Sequence, residues 1–451
     1  MAHEHDLEIP ATTRRGLAIA AGVLGLVTLV GVLAFRSTGD LGEGAGRLNL
    51  ASDVYDAKVV AVDTKPCSGT TRADDIPCDE VRLRLSQGPD KGDTVELEFP
   101  ESPTTPDFDP GDRVVLSYNP SAEPGFEYQF ADRQRRPVLL WLTVLFAAAV
   151  VLLGRWRGLA ALVALGATMV VLLQFILPAI LDGKSPVMVA VFGASAIAYL
   201  ALYLAHGFRT MTTVALLGTL AALAVTVALA SLFTALADFT GLATEEAVLV
   251  QIGAENIDLS GLVLGGMVIG ALGALDDMTV TQVSAVWELR AANPRFKRRE
   301  LSSAAMRIGR DHVASTVNTL ALAYAGAALP VLILFVQSRQ SLGAVANSET
   351  VAVEIVRTLV GSIGLVASVP LTTWLATRVV TTEPPRRGRG RPRSERPGGR
   401  RPASPVEDGP AGQASGAMKE AEPDQPPEQQ FWGRRRGGPG EPPPIPPEDR
   451  G

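Results

Sequence analysis

The residues that build most metal and redox sites are scarce in this sequence. Its 451 residues include only two cysteines and four histidines. There is no CxxC pair, HExxH motif or four-ligand cluster, so the sequence favours neither a structural zinc site nor a conventional metalloprotease. The phosphate-binding pattern GxxxxGK[ST] and the GxGD pattern of intramembrane proteases are also missing. We therefore expect a protein that is not an enzyme, carries no cofactor and does not bind nucleic acid.

Charged residues are few and unevenly spread. They make up 20% of the chain, against 47% hydrophobic residues. The hydrophobic residues form blocks of about 20, the length that a helix needs to cross the hydrocarbon core of a bilayer. These blocks predict an α-helical polytopic membrane protein with about eight transmembrane helices. The blocks are Gly16–Phe35, Pro137–Leu153, Leu159–Leu181, Pro186–His206, Thr213–Leu236, Leu259–Leu275, Val313–Val336 and Val353–Ala376.

The first block follows a polar N-terminal segment, residues 1–15, that ends in Arg14 and Arg15. Two interpretations are open for residues 16–35, a cleaved signal peptide or an uncleaved first span. The run is long for a signal peptide, and no small-residue A-x-A cleavage site follows it. We therefore favour a span that is retained in the mature protein.

Residues 37–136 have a different pattern, in which apolar and polar residues alternate between turns rich in Gly, Pro and Asp. Alternation of this kind predicts short antiparallel strands. The Gly-Asp pairs at 92–93 and 111–112 precede two of these strands, as turn residues do. Together the runs predict a small β-rich domain similar to an OB-fold barrel. The runs are Val54–Asp63, Asp79–Leu85, Asp93–Phe99, Arg113–Tyr118 and Phe126–Phe130.

Lys and Arg near the span ends predict the orientation of the chain, because they accumulate on the cytoplasmic side. Basic residues flank the N-terminal side of span 1, the connections after spans 2, 4 and 6, and the C-terminus. Arg133, Arg135 and Arg136, just outside span 2, are the exception. The acidic loop 237–258 contains no Lys or Arg. We expect cytoplasmic N- and C-termini and an extracytoplasmic β-rich domain.

Two further predictions concern segments outside the spans. Residues 379–451 are rich in Pro, Arg and Gly, a composition that buries too little apolar surface to fold, so we expect a disordered cytoplasmic tail. Cys67 and Cys78 lie in the domain assigned to the oxidising side. A disulfide between them is favoured, and two free thiols are the alternative.

The sixth span, Leu259–Leu275, carries the most informative pattern. It contains two GxxxG pairs, Gly261 with Gly265 and Gly266 with Gly270, which let helices approach closely in lipid. The span then continues directly into a polar segment. A carboxylate in a span is expensive, which favours an ion or proton site, whereas a helix that simply emerges into the cytoplasm is the alternative. The polar residues are Asp276, Asp277, Thr281 and Gln282.

The seventh span begins with charged residues and contains an amide deeper in the bilayer. Arg310 and Asp311 stand at its cytoplasmic end and are expected to pair with the carboxylates of span 6. Asn318 lies about two turns further in. A basic anchor at the membrane surface is the alternative for the arginine, but it does not explain Asn318. In span 8, Glu354 and Arg357 are one turn apart and are interpreted as a structural pair.

Prolines at 330 and 370 predict interruptions of spans 7 and 8. Interrupted helices recur at the binding sites of transporters, although kinks without function are also common. Gln174 is a lone polar residue in span 3, for which a hydrogen bond between helices is the favoured interpretation.

Several of these motifs occur in an order that resembles the YibE/F-like family of bacterial membrane proteins. The resemblance covers about residues 135–378 and, more loosely, the outer domain. It implies a permease-like protein of about eight spans in the bacterial plasma membrane, without implying a substrate. This chain departs from the family pattern in having Asp276 as well as Asp277, which leaves open which of the two has a role. The matching segments are Gly154–Leu159, Gly270–Ala274 with Asp277, Glu288-Leu289, Asn293-Pro294, Ile308–Asp311, Asn318–Leu320, Ala323-Tyr324, Glu354–Arg357 and Gly361–Gly364.

Two functions follow as hypotheses. The first is a secondary transporter of a small solute or ion, with Asp277, Asp311, Arg310 and Asn318 forming a polar site between spans 6 and 7. The second is a scaffold or sensor that does not transport, whose outer domain binds a ligand or an envelope partner. The lipid bilayer is the one partner that the sequence indicates directly, and the oligomeric state stays open.

Overall fold

The computed structural model describes residues 9–38, 53–67, 77–123, 125–253 and 256–382. Within them, one helix precedes a five-stranded sheet, and the remaining helices follow it. The predicted tail lies outside the described residues from position 383 onward. Its predicted start at 379 is two residues early, because the last helix continues to Val380.

The strands are β1 (Asp53–Pro66), β2 (Pro77–Leu85), β3 (Thr94–Pro100), β4 (Arg113–Tyr118) and β5 (Tyr128–Arg133). They form one antiparallel sheet in the order β3-β2-β1-β4-β5. Each overlaps one of the strands predicted from alternation. Gly92 and Gly111, in the predicted turns, have φ values of +103° and +109°, a conformation that side chains strongly disfavour.

The sheet curls around a core of its own. A register shift between Val59 and Ala61 bends the long strand β1, as a β-bulge does. The two edge strands approach each other through aromatic rings, because Phe99 on β3 and Phe130 on β5 have centroids 5.8 Å apart. Phe108 contacts both rings, tilted by 43° to Phe99 and edge-on to Phe130. The buried core residues are Ala57, Val59, Val81, Leu83, Leu85, Phe108, Val114, Leu116 and Tyr128. Cys67 and Cys78 are joined by a disulfide between the end of β1 and β2.

The helices are α1 (Ala11–Ala34), α2 (Arg136–Val171), α3 (Leu177–Leu181), α4 (Pro186–His206), α5 (Thr210–Leu236), α6 (Glu245–Gly253), α7 (Leu259–Ala292), α8 (Arg298–Ala327), α9 (Leu329–Gln337), α10 (Leu342–Asn347) and α11 (Glu349–Val380). A π-helical turn, Leu172–Ile176, joins α2 to α3. This turn surrounds Gln174 and precedes Pro178, which lacks the N–H for a regular helical bond. The short helices α6 and α10 were not predicted.

Six helical segments among the described residues are long and apolar enough to cross a membrane, and the bent pair α8–α9 raises the number to seven if it is one span. The two halves of that pair meet at 62°. The break at Ala328 immediately precedes Pro330, which confirms the interruption predicted there. The prediction for Pro370 was wrong. Helix α11 runs through Pro370 without a break, because one missing backbone bond is tolerated inside a long, well-packed helix.

The 46-residue segment from Arg136 to Leu181 contains a reversal. Arg155 has φ 52° and ψ −130°, outside the helical region. A Cβ on Gly158 would collide with the carbonyl group of Val150. Residues eight apart in a straight helix are separated by about 12 Å, so the chain must fold back on itself between them.

The hydroxyl of Tyr128 forms a hydrogen bond whose contribution to the stability of the sheet can be tested. It donates a hydrogen bond of 2.7 Å to Oδ2 of Asp90. Burial and this neighbouring carboxylate raise the pKa of Tyr128. We predict that Tyr128→Phe destabilises the sheet by about 1–3 kcal/mol, because the Asp90 carboxylate loses a donor. Proteolysis of the sheet in the full chain during thermal unfolding measures this loss.

The same contact predicts a pH dependence. The folded state keeps the Tyr128 proton at a pH where the unfolded chain releases it, near pH 10. The stabilisation is therefore complete below pH 10 and is lost as the pH rises further. We expect the difference in stability between wild type and Tyr128→Phe to become smaller above pH 10. Tyr118→Phe is the control, and an equal loss of stability in that variant would contradict the assignment.

Candidate functional site

The two GxxxG pairs of α7 have different surroundings. Gly261 and Gly265 are buried. A Cβ on Gly265 would lie 3.2 Å from the Cβ of Ala190 and 3.3 Å from the carbonyl oxygen of Pro186. This first pair therefore serves close packing of α7 against α4 within one chain.

The second pair belongs to an exposed strip. Gly266, Gly270, Gly273 and Asp277 are all exposed and follow one another at spacings of four, three and four residues. Such spacings place residues on one face of a helix. A Cβ on Gly273 would meet no atom within 4 Å, and one on Gly266 would meet only an Arg357 nitrogen, at 3.9 Å. We call these four residues the glycine strip.

An imidazole stands beside the acidic end of the strip. Nε2 of His312 on α8 lies 3.8 Å from Oδ2 of Asp277, whose side chain is 68% exposed. Asp276 lies about 100° around α7 from Asp277 and is half-buried, and its buried Oδ1 has no hydrogen-bond partner in the described part of the chain. A carboxylate next to an imidazole is suited to hold a cation or to pass a proton. Of the two aspartates, Asp277 is the one that continues the glycine strip.

The other end of the strip carries an ion pair. Glu354 and Arg357 on α11 form a salt bridge, as the sequence indicated. The guanidinium of Arg357 lies 6.0 Å from the ring centre of Tyr324 on α8. The hydroxyl of Tyr324 in turn stands 3.0 Å from the position of a Cβ on Gly270. Polar groups from two helices, α8 and α11, therefore border the strip at Gly266 and Gly270.

Gln282 joins three helices instead of facing the strip. Its side chain is 2% exposed, and its amide nitrogen donates to the carbonyl oxygen of Ala305 at 3.0 Å and to Oγ1 of Thr373 at 2.6 Å. These bonds connect α7 to α8 and α11. Thr281, one residue earlier, is half-buried. Both amide hydrogens of Gln282 are thus already used in packing.

Arg310, Asp311 and Asn318 are all exposed. Within the described residues no ion pair connects Arg310 or Asp311 with the aspartates of α7, so the pairing expected from the sequence is not formed. The pairing fails because these residues point in other directions around the axis of α8. With about 100° per residue, Asp311 lies about 100° and Arg310 about 160° around α8 from His312, which faces Asp277.

His312 is the site residue that sequence reasoning left out of the predicted set. A usable signal was present. Asp277 stands sixteen residues before Asn293 and His312 fifteen residues after Lys297, the two ends of the connection between α7 and α8. In an antiparallel helix pair, residues equally distant from the connection lie at the same height. Gly273 was missed because only the GxxxG spacing was considered.

A family model described as YibE/F-like protein matches residues 142–382, more than half of the 451 residues. The chain belongs to the YibE/F-like family. No curated protein and no solved structure matches it. The matched range begins in α2 and ends after α11, so it includes the whole glycine strip. Together with the apolar helices, the family assignment points to a membrane-embedded protein.

Gly309 provides a test of the Gln282 contact. A Cβ there would lie 2.5 Å from Cγ1 of Val369 and 2.7 Å from Oε1 of Gln282. We predict that Gly309→Ala lowers stability by about 1–3 kcal/mol through overpacking. Thermal unfolding of the detergent-solubilised protein, followed by size-exclusion fluorescence, measures the change.

Gly273→Ala is the matched control, because the added methyl group meets nothing within 4 Å. We expect it to be neutral or slightly stabilising, since Ala favours a helix over Gly. Equal thermal stability of Gly309→Ala and wild type would contradict the close contact between α7 and α8.

Proposed function

We propose that this protein is a secondary transporter that moves a small solute or ion across the bacterial plasma membrane along the glycine strip, coupled to the movement of a proton or another ion. The observation that carries the proposal is the continuity of the strip with Asp277 and the position of His312 3.8 Å from that carboxylate. An open helix face that ends in a carboxylate gives a solute room to pass and a charged group to meet.

The proposal includes eight spans, with both termini in the cytoplasm. Six segments qualify individually. The segment from Arg136 to Leu181 would be about 70 Å long if straight, more than twice the hydrocarbon thickness of about 30 Å. Its reversal at Arg155 makes it two spans, and the pair α8–α9 supplies another. The curled sheet would then lie outside the cytoplasm as a barrel similar to an OB-fold.

Two contacts between distant residues support this alternation. The backbone N–H of Thr38, after α1, donates to the carboxylate of Asp182, after α3, at 3.2 Å. Glu349, at the start of α11, accepts from the hydroxyl of Thr240 and the N–H of Gly241, both after α5. In an eight-span chain all of these positions belong to the outer side. A single straight span from 136 to 181 would put Asp182 on the side opposite Thr38.

The polar groups available to a solute change in character along the strip. Near the cytoplasm, Asp277 faces His312, and Thr316 and Thr319 follow His312 on the same face of α8. Toward the outside, the Arg357–Glu354 pair lies beside Gly266 and Tyr324. A path with titratable groups at one end and a paired charge at the other suits movement coupled to a proton.

We predict that neutralising Asp277 abolishes proton-coupled flux. Wild-type protein reconstituted into liposomes that contain a pH-sensitive dye should dissipate an imposed pH gradient. Asp277→Asn should slow this flux by about tenfold or more, which corresponds to about 1.4 kcal/mol or more in the barrier. Gly273→Leu should slow it as well, because its side chain fills the strip.

Leu152→Ala is the control, since Leu152 lies on the outside of α2 and is 81% exposed. It should leave flux unchanged. If flux from wild-type protein equals that of empty liposomes, the transport is not coupled to protons. Unchanged flux in both strip variants would contradict the proposal that the glycine strip is the path.

The scaffold or sensor remains the second candidate, supported by one observation. The curled sheet has a hydrophobic core separate from that of the helices and is closed by its own disulfide. A domain that is stable by itself is suited to bind an envelope partner. Deletion of residues 47–130 distinguishes the two functions. A transporter should keep measurable flux without the sheet, whereas a sensor should lose its cellular phenotype while the glycine strip is intact.

A further inference from the structure

Helix α8 carries a polar stripe on the side away from α7. Its members, Arg307, Asp311, Ala314 and Asn318, are all exposed and are spaced by four, three and four residues. This spacing keeps them on one face of the helix and is the spacing of a helix–helix seam. Arg310 flanks the stripe and is exposed as well. We call these four residues together with Arg310 the α8 stripe.

The composition of the α8 stripe differs from that of another exposed helix in this protein. On α2 the exposed residues in the first span-length segment are large and apolar, as expected for a surface that faces lipid. The exposed face of α8 carries guanidinium, carboxylate and amide groups instead. The two arginines and Asp311 stand at the cytoplasmic end of the predicted span, whereas Asn318 lies inside it, where an unpaired amide is costly in contact with hydrocarbon. The exposed apolar residues of α2 include Val138, Leu139, Leu140, Trp141, Leu142, Leu145, Leu152 and Leu153.

We propose that two copies of this chain pair in the membrane through the α8 stripe. The proposal rests on the membrane embedding stated above, but it does not require the transport activity. It commits to a second copy because the stripe is complementary to itself in charge and in hydrogen bonding. A two-fold axis along the membrane normal brings residues of equal depth together.

Charge complementarity follows from that symmetry. Arg310 and Asp311 are neighbours in sequence and differ in depth by about 1.5 Å, and Arg307 lies one turn below Asp311. Across the two-fold axis, the two Asp311 carboxylates meet at equal depth. Arg307 and Arg310 of each copy lie within about one turn of the other copy's Asp311, so four guanidinium groups surround two carboxylates. Among the described residues Arg310 and Asp311 form no ion pair within the chain, so both are available.

The part of the α8 stripe formed by Ala314 and Asn318 is complementary to itself in shape and hydrogen bonding. Ala314 allows the two helices to approach closely. Asn318 of one copy meets Asn318 of the other at the same depth, and an amide both donates and accepts hydrogen bonds. A buried Asn pair of this kind fixes the register and number of associating helices. Asn318, which a surface anchor does not explain, thus acquires a role.

Packing within the chain leaves this face open. The buried residues of α8 are Leu301, Ala304, Ala305 and Gly309, all in its first half. Beyond Gly309 the helix has no buried residue up to its end at Ala327. The part of α8 beyond Gly309, which carries Asp311, Ala314 and Asn318, is therefore the part in which no residue is buried by the described chain.

Cysteine cross-linking of the full chain in membranes tests the pairing. The native Cys67 and Cys78 are joined to each other and do not react with maleimides. Ala314→Cys and, separately, Asn318→Cys should be cross-linked by a short bismaleimide to a species of twice 47.5 kDa. Leu152→Cys is the matched control on an exposed apolar surface and should remain monomeric. Each variant is first shown to react with a monofunctional maleimide.

A charge exchange gives a second readout. Asp311→Arg makes the stripe wholly basic, and the double variant Arg307→Asp with Arg310→Asp makes it wholly acidic. Each alone should reduce self-association, measured by pull-down between differently tagged copies, by about tenfold. Co-expression of the two variants should restore association between them, because opposite charges then face each other.

Three results would overturn the proposal. They are the absence of a doubled species from both stripe cysteines despite maleimide labelling, a cross-linked product of some other mass, and a failure of the exchanged charges to restore association. The test is independent of transport. Asp277 lies outside the α8 stripe. A protein with both Asp277→Asn and Ala314→Cys should therefore still form the cross-linked dimer even if its flux is lost. Each proposal can thus fail without the other.

Discussion

The side-chain amide of Gln282 is the interaction on which the arrangement of the polar helices depends. With its two hydrogens it holds α8 through Ala305 and α11 through Thr373. Leaving either acceptor unsatisfied in a buried site would cost on the order of 1–3 kcal/mol. The attachment lies in the first half of α8, below Gly309. Beyond Gly309 the helix has no buried residue, although Leu320 and Tyr324 still contact α11 and α7, so its polar face and the glycine strip beside it are exposed.

Glycine has two separate uses in α7. The space beside Gly265 is filled by α4, and that beside Gly261 by the Asp258 side chain and by Pro186 of α4, so both residues contribute to packing. At Gly266 and Gly273 the space stays open along the face that ends at Asp277, and at Gly270 it is bordered by the Tyr324 hydroxyl. The second set follows the first directly in one helix, and Gly266 points about 100° away from Gly265. A single helix thus fastens the bundle on one side and borders the proposed path on the other.

The sequence was sufficient for features that depend on composition and period. Apolar blocks gave the long helices, and alternation gave all five strands, because both reflect burial of one-dimensional patterns. The break before Pro330 was also predictable. Features that depend on the direction of a side chain around a helix axis were not predictable from the sequence. The pairing expected for Arg310 and Asp311 failed because they lie on the wrong side of α8, and the roles of Gln282 and the two glycine pairs needed the positions of neighbouring helices. Pro370 could not be distinguished from Pro330 by sequence alone.

The reversal at Arg155 has a consequence for how the chain is made. Its left-handed backbone leaves no loop between the two halves of the segment from 136 to 181, since Gly158 already touches Val150. In the proposed topology this turn lies at the cytoplasmic surface, and the two halves cross the bilayer side by side. Because no loop separates them, we expect the proposed pair of spans to enter the membrane together, as one helical hairpin.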